Sequence, residues 1–353
     1  MHSFHSKSPK KGKNMPRRVK GFFLAEPDSS RIGYVFAKGR KEQFEEVLDM
    51  CPEWICRGNL EKNRIFLAKA EVAVCTWERP ILTRDEIAEY MPNLKLLVYV
   101  AGSVQTFARP YLELGVHIVS AWGVMNKSVA EFTVGEIIHS NKGFYRSLAL
   151  YKEKGYPAAH WEILKSYPGT YHTKVGILGA GMIGSEVIRM LQGWYDTDIM
   201  VFDPFLSPEK KESLNITRTY SLEEIFEECQ TISNHIANNP QTVGMLDYRL
   251  FSRMKDNATF INTGRGAQVV EDDLIRALTE KPQRTAVLDV TWPEPARSDL
   301  MALPNVFITP HIAGFAAEEV LRMTDEMLAI LKNYLENGSL RFEVTEGMLA
   351  TMA

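Results

Sequence analysis

Short apolar runs alternate with amphipathic segments along almost the whole chain, in two successive series. In the first, residues 21–25, 71–75, 94–100 and 115–119 are dense in aliphatic and β-branched side chains and predict strands. Residues 41–50, 83–90 and 109–114 carry apolar positions at helical spacing and predict helices between those strands, which implies a parallel sheet. The second series begins at Lys174 and continues through 231–235, 258–262, 285–290 and 306–309. These runs are almost wholly apolar, as a sheet covered by helices on both faces requires. Residues 128–145 read as a long helix leaving the first unit, and residues 316–337 as a terminal helix returning to it. The pattern predicts two doubly wound α/β domains. One is built from 19–125 and 315–353, the other from 126–314, with a small-molecule cleft between them.

Composition narrows the function classes. Of 353 residues, 45% are hydrophobic and 24% charged, the balance of an ordinary folded chain. A net charge of −3 gives no general reason to bind nucleic acid or an anionic membrane, and no apolar run approaches the length of a bilayer span. The basic exception is the N-terminus, where Lys7, Lys10, Lys11, Lys13, Arg17, Arg18 and Lys20 crowd together. Lacking an apolar core segment, residues 1–18 read as a disordered basic tail rather than a signal peptide, and Met15 could be the natural start. Cys51, Cys56, Cys75 and Cys229 have neither disulfide-framework nor zinc spacing, which fits a reducing cytoplasm and predicts no metal site.

The second series opens with a run that carries chemistry. After the strand at Lys174 comes Gly179-Ala-Gly181-Met-Ile-Gly184, then a helical pattern, then a strand closing on Asp203. Gly179 permits a tight turn, Gly181 admits a pyrophosphate close to the backbone, and Gly184 lets helix and strand pack together. The N–H groups at the start of the helix, around Met182 and Ile183, then hold phosphate oxygens. Asp203, about 20 residues further on, suits the two hydroxyls of an adenosine ribose and repels a 2′-phosphate, so NAD is expected over NADP. An ordinary acid capping the turn before Pro204 is the plainer alternative.

Three islands follow, each at the end of a predicted strand: Asn262-Thr263-Gly-Arg265-Gly266, Asp289-Val-Thr-Trp-Pro-Glu294-Pro295 and Pro310-His311. Strand carboxyl ends face the ligand crevice of an open α/β sheet, so Arg265, Glu294 and His311 are expected to converge there. Arg265 would clamp a substrate carboxylate, and His311 would give a proton to a carbonyl oxygen as hydride arrives. Glu294 would hold the other imidazole nitrogen, orient the ring and favour the imidazolium. Together these residues are what reduction of a 2-oxo acid needs.

With these motifs in place, the chain from about Val19 onward resembles the D-isomer-specific 2-hydroxyacid dehydrogenase family, in particular its glyoxylate and hydroxypyruvate reductases. The motifs that carry the likeness are Gly179-x-Gly181-x-x-Gly184 with Asp203, Ser128-Val-Ala-Glu131, Asn262-x-x-Arg265-Gly266, Asp289-Val-x-x-x-Glu294-Pro295 and Pro310-His311. The resemblance implies a Rossmann NAD-binding domain inserted into a smaller flavodoxin-like substrate domain, and a homodimer paired through the long helix. It also implies that backbone N–H groups of Ala101-Gly102-Ser103 bind the substrate carboxylate. His235 and Thr263 would lie beside the cofactor, and Asp289 would contact the nicotinamide carboxamide.

The chain departs from the family pattern in the loop His235-Ile-Ala-Asn-Asn-Pro240-Gln-Thr242, in Ser103 and Val104 after Gly102, and in Trp122-Gly123-Val-Met125 before Asn126. These changes leave the chemistry intact and bear on the preferred side chain. Trp77, Tyr99, Trp122, Trp292 and Phe315 fall in or near loops that could line the cleft, although aromatics at strand ends are more often core. The rival from another class is an NAD(H)-sensing dimeric corepressor on the same fold, for which the chain offers no docking signature beyond its basic N-terminus. A formate dehydrogenase would carry glutamine in place of Glu294. A phosphoglycerate dehydrogenase with an added regulatory domain would need more chain after Gly314.

Overall fold

The computed structural model describes residues 18–194 and 196–350, so the expected basic tail, Arg18 apart, and Met15 lie outside the described residues. Twelve strands are described: β1 Lys20–Leu24, β2 Asp49–Met50, β3 Val72–Cys75, β4 Leu96–Tyr99, β5 His117–Ser120, β6 Thr173–Leu178, β7 Thr197–Phe202, β8 Thr231–Asn234, β9 Thr259–Asn262, β10 Thr285–Leu288, β11 Val306–Ile308 and β12 Glu343–Val344. They form two six-stranded sheets, ordered β12-β5-β4-β3-β1-β2 and β11-β10-β9-β8-β6-β7. The second sheet is parallel throughout, and in the first only the β12–β5 pair is antiparallel. Because β12 follows β11 in the chain, the second sheet is inserted into the first, as expected.

The period-2 geometry of a strand sends neighbouring residues to opposite faces, and both faces of each sheet are apolar. Phe22, Leu24, Ala73, Cys75, Leu97 and Tyr99 fill one side of the first sheet, while Phe23, Val72, Val74, Leu96 and Val98 fill the other. In the second sheet Ile232, Phe260 and Leu288 face one layer, and Val175, Ile177, Val201, Ile261 and Val287 face the opposite one. Several helix starts have local causes. Thr83 and Ser221 each accept from the N–H three residues on, while Glu86 and Glu224 reach back, completing capping boxes.

Five further helices place the site: α1 Trp122–Asn141, α2 Phe144–Lys154, α3 Ala158–Ser166, α4 Met182–Trp194 and α5 Ala317–Asn337. The expected helix over 128–145 is therefore two. It starts six residues earlier, at Trp122, and breaks at Gly143, whose φ of 68° is left-handed. The boundary expected at 125/126 consequently falls inside α1. Residues 48–50, expected to finish a helix, lie outside it: the helix ends at Val47, and Asp49 and Met50 form the edge strand β2. Helix α5 returns to the first sheet as anticipated, burying Val320, Met323, Met327 and Leu331 beside Phe23, Val35 and Phe44.

Candidate active site

The nucleotide turn lies between β6 and α4, where β7 and β8 flank β6 on opposite sides; this is the topological switch point of the sheet. The three glycines are needed for three different reasons. Gly179 has φ +88°, and a Cβ there would lie 2.8 Å from the His235 carbonyl oxygen. A Cβ on Gly184 would lie 2.0 Å from the Gly179 carbonyl oxygen, so strand and helix could not approach as they do. A Cβ on Gly181 would meet nothing within 4 Å, which leaves the backbone open on the side where a pyrophosphate would sit. Among the described residues no acceptor faces the N–H groups of Met182 and Ile183, at the positive end of α4.

Asp203 caps its turn, the plainer of the two expectations for it. Its Oδ2 accepts from Ala180 N at 2.9 Å, tying the glycine turn to the end of β7, and its Oδ1 accepts from Phe205 N at 2.9 Å. Each oxygen retains a lone pair for a ribose hydroxyl. His235 contributes its backbone to the floor of the turn. Its imidazole Nε2 lies 2.9 Å from Ser233 Oγ, Nδ1 is buried without a partner, and burial pushes its pKa down to about 3, so the ring stays neutral. Thr263 is buried, with Oγ1 2.9 Å from Thr133 Oγ1 of α1, so its hydroxyl joins helix to sheet.

His311 and Glu294 are in contact. His311 Nδ1 lies 3.1 and 3.2 Å from the two Glu294 oxygens, so the ring is held through that nitrogen. His311 has φ 56°, a left-handed conformation unusual for a side-chain-bearing residue. Asp289 holds that loop in place. Its Oδ1 accepts from Thr309 Oγ1 at 2.6 Å and Ile312 N at 2.8 Å, and its Oδ2 from Ala313 N at 3.0 Å. Asp289 thus positions the histidine loop, in addition to the nicotinamide contact that the family resemblance implies.

Arg265 stands beside Glu294, whose charge opposes the lowering that burial imposes on the guanidinium. Its Nη1 donates to the Gly264 carbonyl at 2.8 Å. The turn carrying it rests on a buried amide network that sequence reading missed. Asn262 Nδ2 donates to the Arg265 carbonyl and Asn262 Oδ1 accepts from Gly264 N, while Asn234 Nδ2 donates to Asn262 and to Gln268. Gly266 is packed so tightly that a Cβ would lie 2.1 Å from the Thr291 carbonyl. In the first sheet, the Ser120 hydroxyl donates to the carbonyls of Ala101 and Gly102. No acceptor faces the N–H groups of Gly102 and Ser103 among the described residues, which suits them to an anion.

Glu136 of α1 was also missed. One of its carboxyl oxygens is buried without a partner, and burial together with the charge of Asp289 pushes its pKa up to about 7. A carboxyl raised above its unfolded value stabilises the fold fully at acid pH. That contribution is lost as pH rises from the unfolded value through about 7. Glu136→Gln removes the ionisation, so at pH 8 the variant should be more stable than the parent by about 1–2 kcal/mol, discounted for partial exposure. The gap should close towards pH 5. Denaturant titrations at the two pH values measure it, and parallel pH dependence in the two proteins would refute the assignment.

The described residues contain no group of three or more metal-ligating side chains, no disulfide among the four cysteines and no helix long and apolar enough to cross a membrane. Against known proteins, residues 135–313 match the family model "D-isomer specific 2-hydroxyacid dehydrogenase, NAD binding domain". YoaD of Bacillus subtilis, classed with the 2-hydroxyacid dehydrogenases, is 28% identical over 227 residues, which is 63% of this chain and 63% of that protein. Among solved structures, the D-mandelate dehydrogenase of Rhodotorula graminis superposes with a TM-score of 0.77 at 20% identity, covering 94% of this chain and 98% of its own. A glyoxylate reductase from Paecilomyes thermophila gives 0.70 at 21% identity, covering 94% and 100%.

Proposed function

Since the chain belongs to the D-isomer-specific 2-hydroxyacid dehydrogenase family, we propose that it interconverts a small 2-oxo acid and its D-2-hydroxy acid, with NAD as the redox partner. The observation that carries this reading is the Glu294–His311 pair beside Arg265, at the carboxyl ends of the same sheet that holds the nucleotide turn.

The nucleotide fits the residues present. Met182 and Ile183 would donate to its pyrophosphate, and Asp203 would accept from its ribose and disfavour a 2′-phosphate. When bound, the reduced cofactor supplies the hydride. Arg265, with the N–H groups of Gly102 and Ser103, would hold the substrate carboxylate and so fix the reacting carbon. His311 Nε2 would donate a proton to the carbonyl oxygen in reduction and recover it in oxidation, with Glu294 holding Nδ1. Residues 19–125 and 315–353 would then form the substrate domain and 126–314 the NAD-binding domain, from which Arg265, Glu294 and His311 would reach the substrate.

We also propose a homodimer and, from the cysteine spacing in the sequence, a cytoplasmic setting. Helices α2 and α3 expose Phe144, Leu148, Tyr151, Trp161 and Leu164, an apolar face next to α1 that a second copy would cover.

Nicotinamide absorbance tests the reaction, with NADH and NADPH supplied separately against glyoxylate, hydroxypyruvate, pyruvate, 2-oxobutyrate and phenylpyruvate. NADH should be oxidised by at least one acid, and faster than NADPH. A preference for NADPH would overturn the role given to Asp203. No turnover despite NADH binding would overturn the reaction and favour a sensing protein.

A further inference from the structure

Three rings, His311, Phe315 and Trp77, follow one another from the Glu294–His311 pair. The centroids of His311 and Phe315 are 5.9 Å apart, and those of Phe315 and Trp77 are 5.1 Å apart, each pair tilted by 40–50°. Beyond Trp77 the Arg31 guanidinium covers its ring at 5.3 Å and is held by Glu78 at 3.4 Å. Trp77 and Phe315 are both only partly buried. Neither is spent wholly on the core, although both touch it.

Topology sets where this wall lies relative to a substrate. Trp77 follows β3, which pairs with β4 in the register Cys75↔Tyr99, and Thr76 Oγ1 donates to the Val100 carbonyl at 2.9 Å. Trp77 is therefore beside the Ala101-Gly102-Ser103 loop. Phe315 follows the His311 loop directly. The third neighbour is Met125 of α1, which reaches between the two loops: its Sδ would be 3.1 Å from a Cβ on Gly102, and its Cε 3.0 Å from one on Gly314. A 2-oxo acid with its carboxylate at Gly102 and Arg265 and its carbonyl oxygen at His311 has one substituent left on C2. That substituent leaves between these two loops, where Trp77, Phe315 and Met125 lie.

We infer that the side chain of the substrate is an aromatic ring, lodged against Trp77 and Phe315 on the first-sheet side of the cleft. This rests on the 2-oxo acid reading above and gives it a substrate class. Glyoxylate, with hydrogen in that position, would leave the apolar wall facing water. An aryl group would cover it, gaining both buried area and ring–ring contact. The other aromatics expected near the cleft do not share this placement. Tyr99 is buried against Phe107, Trp122 packs on Phe342, and Trp292 is 68% exposed.

The test uses the full-length protein with NADH and compares kcat/KM for phenylpyruvate and benzoylformate with that for glyoxylate and pyruvate. The better aryl acid should exceed glyoxylate by at least about tenfold, roughly what a ring–ring contact with its buried area provides. Trp77→Ala should lower the aryl-to-glyoxylate ratio by about tenfold, and Trp77→Phe should restore most of it. Glyoxylate favoured over both aryl acids by the parent protein would overturn the substrate class while leaving the chemistry standing. No turnover of any of the four would overturn the chemistry itself. An unchanged ratio in a folded Trp77→Ala protein would remove Trp77 from the pocket.

Discussion

His311→Asn should lower kcat for 2-oxo acid reduction by about 10²–10⁴-fold, the range that a positioned proton donor contributes, while NADH affinity stays within about threefold. The imidazole is held at Nδ1 by both Glu294 oxygens, so Nε2 is the nitrogen available to the substrate. Asparagine has no titratable proton near neutral pH, yet it tolerates the left-handed backbone this position requires. Steady-state kinetics paired with a fluorescence titration of NADH separate the two quantities. Turnover within tenfold of the parent would place the proton donor elsewhere.

Arg265→Ala should act on a different parameter. A guanidinium meeting a carboxylate through two charge-assisted hydrogen bonds contributes about 3 kcal/mol, so KM should rise by about 10²-fold or more. Some loss of kcat should accompany it, because the carboxylate also fixes the carbonyl carbon against the hydride donor. The nucleotide turn is built from β6, α4 and Asp203, none of which rests on this guanidinium, so NADH binding should survive. An unchanged KM would mean that the Gly102 and Ser103 N–H groups hold the carboxylate alone.

What the sequence reveals, and what it hides, depends on how far apart the interacting residues are. The longer strands were legible because each is a mostly apolar run, and the nucleotide turn because its three glycines answer three constraints within six residues. The Arg265, Glu294 and His311 cluster followed from knowing that strand carboxyl ends share one edge of the sheet. Strand β12 was not legible, because two residues have no period to read. Nor was the split of the long helix at Gly143, since Phe144 onward resumes a helical pattern at once. Asp289 reads as a strand-end acid until it meets Thr309, Ile312 and Ala313, more than 19 residues away. The amide network of Asn234, Asn262 and Gln268 is hidden for the same reason. The Trp77–Phe315 contact joins residues 238 apart in the chain.

The left-handed backbone at His311 also bears on how the site should be dissected. A β-carbon in that region costs on the order of 1 kcal/mol, which the three bonds to Asp289 help to offset. Truncation to alanine would keep the strain while discarding the imidazole, so a fall in activity would mix lost chemistry with a loosened loop. Glycine would relax the turn and asparagine would tolerate it. A thermal melt of the three substitutions side by side would rank how much folding stability the chain gives up to hold a histidine in this posture, a conflict between durability and reactivity concentrated in one dihedral angle.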